Sequence, residues 1–188
     1  SDLQRKADSF FYISADSMLY FYRDPVLWTE DNQMTADSIN ILIRNKSIDR
    51  IFMVSNSFVV SEDTLKNFNQ IKGRSMTAIF NGKAIDHVIV QGNGESIYHA
   101  LDEKTIANEG DTLSIIALMG MKKIICSNMR INFSEGKVSN ISFYIQPDAS
   151  FIPPHEIQDR DRKLKGFTWR EKQKPTKQQV VYAKLGEP

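Results

Sequence analysis

Apolar and polar residues alternate through much of the chain, and the clearest stretch is MTAIFNGKAIDHVIV, Met76 to Val90. Met76, Ala78 and Phe80 fall on one face of an extended segment, Thr77 and Ile79 on the other. After Asn81-Gly82 the pattern resumes, with Val88 and Val90 opposite His87 and Ile89. Side chains alternate sides along a strand, so each run buries one face. An Asn-Gly pair between two such runs predicts a β-hairpin, because a type I′ turn needs positive φ at both central positions.

The unit recurs. Gly73-Arg74-Ser75-Met76 is followed nine positions on by Ile85-Asp86, Ala36-Asp37-Ser38-Ile39 by Ile48-Asp49, and Cys126-Ser127-Asn128-Met129 by Val138-Ser139. Each second landmark leads into apolar residues three and five places later: Ile51 and Met53, Val88 and Val90, Ile141 and Phe143. A partial copy opens at Ala15-Asp16-Ser17-Met18. The copies begin at 39, 76 and 129, spaced 37 and then 53 residues apart, which excludes a solenoid of one invariant period. Each hairpin has an apolar face that it cannot bury alone, and stacking several buries a continuous core.

Further short strands are expected at Phe10–Ile13, Met18–Tyr22, Val26–Trp28, Thr35–Arg44, Phe58–Val60 and Ser96–Leu101. Residues 61–70 break the alternation, Gly92-Asn93-Gly94 reads as a turn, and Asp102–Asp111 as a polar loop. Leu113–Met119 fits a strand or a short helix ended by Gly120. The count is about twelve strands, with turns every ~8–12 residues, the spacing of an all-β sandwich, jelly roll or barrel. The domain is expected over residues 1–150. Residues 151–188 form a tail or linker, irregular or partly helical, with Pro153-Pro154 as a helix start and Gly166 as its stop. Phe167 and Trp169, two apart, read as anchors on one face of an extended segment, and the remaining Lys- and Gln-rich residues as solvated.

Composition narrows the classes. With 188 residues, 41% hydrophobic and 25% charged, the chain is sized for one globular domain plus an appendage. A net charge of +1 gives no field directed at nucleic acid or an anionic membrane. No apolar run reaches the ~18 residues of a membrane-spanning helix. No leader is legible, which fits a cytosolic chain or a mature exported one. The single cysteine, Cys126, permits no internal disulfide and reads as a small core residue.

Signs of catalysis are sparse. No phosphate-binding loop, nucleophile elbow or H-E-x-x-H motif is present. His87, His99 and His155 lack a second histidine or cysteine at metal-ligand spacing, so neither metal nor cofactor is expected. Tyr98-His99 with Asp102 is the one acid–base set worth naming, and a lone strand histidine is more often structural. A glycan-cleaving enzyme would need paired carboxylates, and none can be placed. The reading is that the protein is not an enzyme. Eleven Phe, six Tyr, two Trp and seven Met are the more distinctive inventory. They fit sandwich packing or an apolar trough between sheets.

The motifs carry a resemblance. Ala36-Asp37-Ser38-Ile39, then Ile48-Asp49-x-Ile51-x-Met53 and Ser55-Asn56-Ser57-Phe58, is similar to the repeat unit of the OstA-like family of lipopolysaccharide-transport proteins. Val88-Ile89-Val90-Gln91-Gly92-Asn93-Gly94 carries the family's Gly-Asn ending, entered through Gln70-Ile71-Lys72-Gly73. The resemblance covers about residues 10–150, with Asp102–Gly120 as an insertion; Gly166-Phe167-x-Trp169 resembles the ending of larger chains of this kind. It implies an all-β jellyroll, or β-taco, of stacked antiparallel hairpins folded into a V. It implies a binding or bridging module that shields lipid A acyl chains during lipopolysaccharide transport to the outer membrane. The implied location is the periplasm, in association with the outer membrane. The implied partners are lipopolysaccharide, other OstA-like components joined by edge-strand addition, and further copies head to tail. The groove lining expected from the repeats is Ile39, Ile41, Ile51, Met53, Met76, Ala78, Phe80, Val88, Val90, Met129, Ile131, Ile141 and Phe143. The alternative is a structural protein–protein interaction module of a cell-envelope assembly with no lipid ligand.

Overall fold

The structure is a computed structural model that describes residues 4–6, 9–13, 17–29, 32–82, 84–108, 111–134 and 137–175. It is all-β, as expected. Strands β1 (Gln4–Lys6), β2 (Ser9–Ile13), β3 (Met18–Tyr22), β4 (Val26–Trp28), β5 (Asn32–Thr35) and β6 (Ser38–Arg44) are short. Four long strands follow: β7 (Ser47–Glu62), β8 (Phe68–Asn81), β9 (Ala84–Asn108) and β10 (Asp111–Ser134). β11 (Lys137–Tyr144) and β12 (Asp148–Ile152) complete one antiparallel sheet.

The repeat landmarks are the joints of this sheet. Arg44 pairs with Ser47, Asn81 with Ala84 and Ser134 with Lys137, so each hairpin has a two-residue loop. In the first, Asn45 and Lys46 have φ of 50° and 62°, as a type I′ turn requires. The second turn is displaced from the expectation by one residue: Asn81 is still in the strand, and Gly82 (φ 64°) is the first loop residue. Beyond each turn the register slips, leaving Asp49, Asp86 and Ser139 unopposed. The recurrent Ile-Asp or Val-Ser landmark is therefore a β-bulge, which takes one extra residue and tightens the twist.

The other landmarks mark a crease across the long strands. Register breaks at Val54/Ser57 on β7, Lys72/Ser75 on β8 and Cys126/Asn128 on β10. Ser55-Asn56 and Gly92-Asn93 both adopt left-handed backbone there, as do Arg23-Asp24 between β3 and β4 and Ile145-Gln146 between β11 and β12. Gly92-Asn93-Gly94 is thus a crease inside β9 and not a chain-reversing turn. Asn56 Nδ2 donates to both carboxylate oxygens of Asp37 at 3.0 Å, joining two of the motifs across the crease. Asp37 N–H also donates to Ser55 O at 3.0 Å. At Gly73 an added Cβ would overlap the Val90 side chain, so the close packing there requires glycine.

Beyond the crease the strands take different neighbours. β7 pairs β6 before it and β5 after it; β10 pairs β12 before it and β11 after it. The sheet therefore has two walls. Wall 1 holds β2, β3, β6, β11 and the adjoining halves of β7–β10. Wall 2 holds β1, β4, β5, β12 and the other halves.

Residues 63–67 form a tight turn closed by Asp63, which accepts from the Leu65 and Asn67 N–H groups at 2.8 Å. Strands fill most of the remaining 61–70 stretch, contrary to the broken pattern expected there. Residues 102–108 are not a loop but the end of β9, and 113–119 is strand within β10, which runs on through Gly120. Among the described residues, 101–108 and 111–118 pair only with each other, as an arm beyond the sheet. Glu103 and Lys104 are both exposed on it, as are Ser114, Ile115 and Ile116, so these stretches lack the in-out alternation by which a half-buried strand is recognised. The arm accounts for the longer interval between the second and third repeats.

Residues 153–175 are irregular, with 3-10 turns at Pro154–Glu156 and Glu171–Gln173. The helix expected from 154 to 166 does not form. Ile157 is already extended and no side chain caps the turn. Instead the segment lies across the outer face of wall 2. Leu164 is buried there with Phe58, Val60, Ile97 and Met121, and Phe167 and Trp169 pack around them. Two glutamines in one cross-strand row, Gln33 and Gln70, fasten it. Gln70 Nε2 donates to Arg162 O (2.7 Å) and accepts at Oε1 from Leu164 N–H (2.9 Å). Gln33 Nε2 donates to Thr168 O (2.7 Å) and accepts at Oε1 from Arg170 N–H (2.6 Å).

Candidate functional site

Wall 1 presents two unbroken apolar rows to the interior, each crossing seven strands. One runs Leu19, Ile41, Ile51, Ala78, Val88, Ile131, Ile141; the other Phe21, Ile39, Met53, Met76, Val90, Met129, Phe143. Every expected groove residue except Phe80 lies in these rows, and Phe80 packs on the same cluster beside Ile85 and Phe133. Directly opposed apolar side chains stabilise the pairing of neighbouring strands.

Wall 2 faces them with a third row: Leu27, Met34, Val59, Ile71, Ser96, Ile124. Leu27 and Met34 belong to the same core cluster as the wall 1 rows, with Val59 and Ile71 at its margin. The crease explains why this row was not legible. Two residues are inserted at Ser55-Asn56, so β7 keeps its inward parity from Met53 to Val59. On β8 and β10 a single residue, Arg74 or Ser127, is unopposed, and inward parity switches from Met76 to Ile71 and from Met129 to Ile124. The paired left-handed residues at Ser55-Asn56 and Gly92-Asn93 were the available signal, masked by their likeness to ordinary turns.

The walls meet over most of the interior. Ile39, Ile41, Ile51, Met53, Met76, Ala78, Val88, Val90, Met129 and Ile131 are all buried. Each contributes the 1.5–3 kcal/mol typical of a fully buried aliphatic side chain, less for alanine, and they form a core more than an open channel. Phe80, Ile141 and Phe143 are half-buried. Space remains where β11 stands opposite wall 2. A cavity of about 230 Å³ is lined there by Ile71, Tyr98, Ile124, Ile141 and Phe143, with Asn69, Ser96 and Lys122 among its polar neighbours. Tyr98 is half exposed and Lys122 exposed. No carboxylate among the described residues pairs with Lys122.

The acid–base set named from sequence is not assembled. Tyr98 faces the cavity, whereas His99, its neighbour on β9, turns to the opposite face and is buried. Asn69 Oδ1 accepts from the His99 backbone N–H at 2.8 Å and lies 3.3 Å from His99 Nδ1; Nε2 has no partner among the described residues. Burial pushes the imidazole below its ordinary value, opposed by nearby Asp63 and aided by Arg162. Cys126 is buried and its thiol is raised by the same cause, consistent with a core role. Among the described residues no cluster of His, Cys, Asp and Glu is arranged to hold a metal, and no helix is long and apolar enough to cross a membrane.

No protein-family model matches the chain, and no curated protein matches it by sequence. Solved structures do match by shape. One is LptH from Pseudomonas aeruginosa, the LptA-homologous periplasmic component of the conserved lipopolysaccharide transport device. It superposes with a TM-score of 0.56 at 10% identity, over 81% of this chain and 96% of that one. The creased, two-walled sheet described above is therefore the fold of this lipopolysaccharide-transport component, shared with almost no sequence in common.

Proposed function

We propose that this chain is a periplasmic module of lipopolysaccharide transport that shelters acyl chain between its walls and bridges other components of the same fold on the way to the outer membrane. The observation that carries the reading is the pair of apolar rows crossing seven strands and ending at an apolar cavity, in a fold shared with LptH. An acyl chain gains about 0.8 kcal/mol for each methylene taken out of water, so a continuous apolar lining favours transfer without a catalytic group. Among the described residues the sheet also ends in strands paired on one side only, β1 and β2 at one end and β11 and β12 at the other. Such edges offer unpaired backbone groups to a neighbouring module, including another copy of this chain.

Photo-crosslinking tests the proposal. A photoreactive side chain at Ile124 or Phe143, facing the cavity, is expected to capture lipopolysaccharide, and one at exposed Arg50 is not. Equal capture at all three positions, or capture at Arg50 alone, counts against it. The dense packing of the wall 1 rows favours a second reading, an envelope interaction module without lipid. That reading predicts protein adducts at β2 and β11 and no lipid adduct at any interior position.

A further inference from the structure

Resting on the lipid-carrier reading, we propose that the cavity between β11 and wall 2 is a cup for a single acyl tail, with Lys122 at its mouth holding the anionic group. The site is apolar on both sides, with Ile71 and Ile124 from wall 2 facing Ile141 and Phe143 from wall 1. Its size sets the length. An apolar cavity of about 150 Å³ holds a benzene ring, so 230 Å³ holds on the order of nine carbons. The adjoining interior gives no room for more, because Val90, Met129 and Ile131 are buried in the packed core next to Ile141 and Phe143. One tail therefore enters, and any others on the same lipid stay outside.

Charge selects the head. Lys122 is the cation at the cavity, is exposed, and has no carboxylate partner among the described residues. It lies across from Tyr98 on β9, whose half-exposed ring sits between apolar lining and water. On the other side it pairs with Phe151, an exposed ring at the edge strand β12. A lysine at the mouth of an apolar cup, with Tyr98 and Phe151 as its cross-strand partners, suits a carboxylate or phosphate at the end of a hydrocarbon tail. It disfavours a cationic head.

Calorimetric titration of the full chain with monomeric hexanoate, decanoate and hexadecanoate, and with decyltrimethylammonium, tests this. Affinity should rise from hexanoate to decanoate and then level off, and the cationic ligand should bind more weakly than decanoate. Lys122→Glu, a surface change, should weaken decanoate and strengthen decyltrimethylammonium by about threefold to fivefold each, the size of an exposed ion pair. Ile124→Trp, which fills the cup, should abolish binding of all four. An affinity that keeps climbing to hexadecanoate, or a Lys122→Glu variant with unchanged head preference, overturns the proposal. If lipopolysaccharide still crosslinks at Phe143 in that case, the cup fails and the carrier reading stands; if neither lipopolysaccharide nor alkyl ligand engages the site, both fail.

Discussion

Replacing Gln70 by alanine tests how the C-terminal segment is held. The side chain is buried on the outer face of wall 2 and acts as a surrogate strand, giving one hydrogen bond to Arg162 O and taking one from Leu164 N–H. Alanine leaves a backbone donor and a backbone acceptor without partners under an apolar cover. A buried polar group left unsatisfied costs about 1–3 kcal/mol. Two such groups, relieved in part by local opening to water, give an expected loss of about 2–4 kcal/mol by that rule. Leu164, Phe167 and Trp169 lie on the segment the clamp fastens, so the loss should be local first. Urea unfolding measures the total, and amide hydrogen exchange locates it. Leu164 N–H should exchange about 30-fold faster or more, the factor that corresponds to 2 kcal/mol. Gln33→Ala should show the same behaviour at Arg170 N–H while leaving Leu164 protected. If Gln70→Ala unfolds within about 0.5 kcal/mol of the parent, the range of an ordinary surface change, and Leu164 exchange is unaltered, the clamp argument is wrong.

Other perturbations address the crease and the core. Gly73→Ala places a methyl group against the Val90 side chain, and should cost about 1–3 kcal/mol in chemical unfolding, the usual price of overpacking. Ile145 is a β-branched residue at φ 60°, exposed at 62%, so Ile145→Asn should raise stability by about 1 kcal/mol by removing left-handed strain. His99 is held below its ordinary value of 6.5 by burial, so the folded chain binds fewer protons than the unfolded one at mildly acidic pH. Its contribution should be constant above that value, and stability should fall as pH drops below about 6.5 until the folded-state pKa is passed. His99→Gln should flatten that part of the curve in urea titrations at stepped pH.

Local chemistry alone determined a good deal of this protein. The strands on either side of Asn45-Lys46, Asn81-Gly82 and residues 135–136 follow from alternation and turn preference, which act over a few residues. The three repeat landmarks were legible for the same reason, and the thirteen residues picked from them do lie on one face and in one cluster. What those landmarks do was decided only in three dimensions. Ile48-Asp49 and Ile85-Asp86 are bulges, and Ser55-Asn56 and Gly92-Asn93 are a crease, because neighbouring strands share the same break in register. The crease brings Ile71 and Ile124 in opposite Ile141 and Phe143, and no periodicity within β8 or β10 predicts a change of inward parity halfway along a strand. The burial of Leu164 likewise depends on Gln70, 94 positions away, and the arm was not legible because Glu103-Lys104 and Ser114-Ile115-Ile116 are exposed in runs, without alternation. Sequence pattern specifies what a segment can bury; which surface it meets is set by contacts between residues far apart in the chain, and the cavity exists only where those contacts leave a gap.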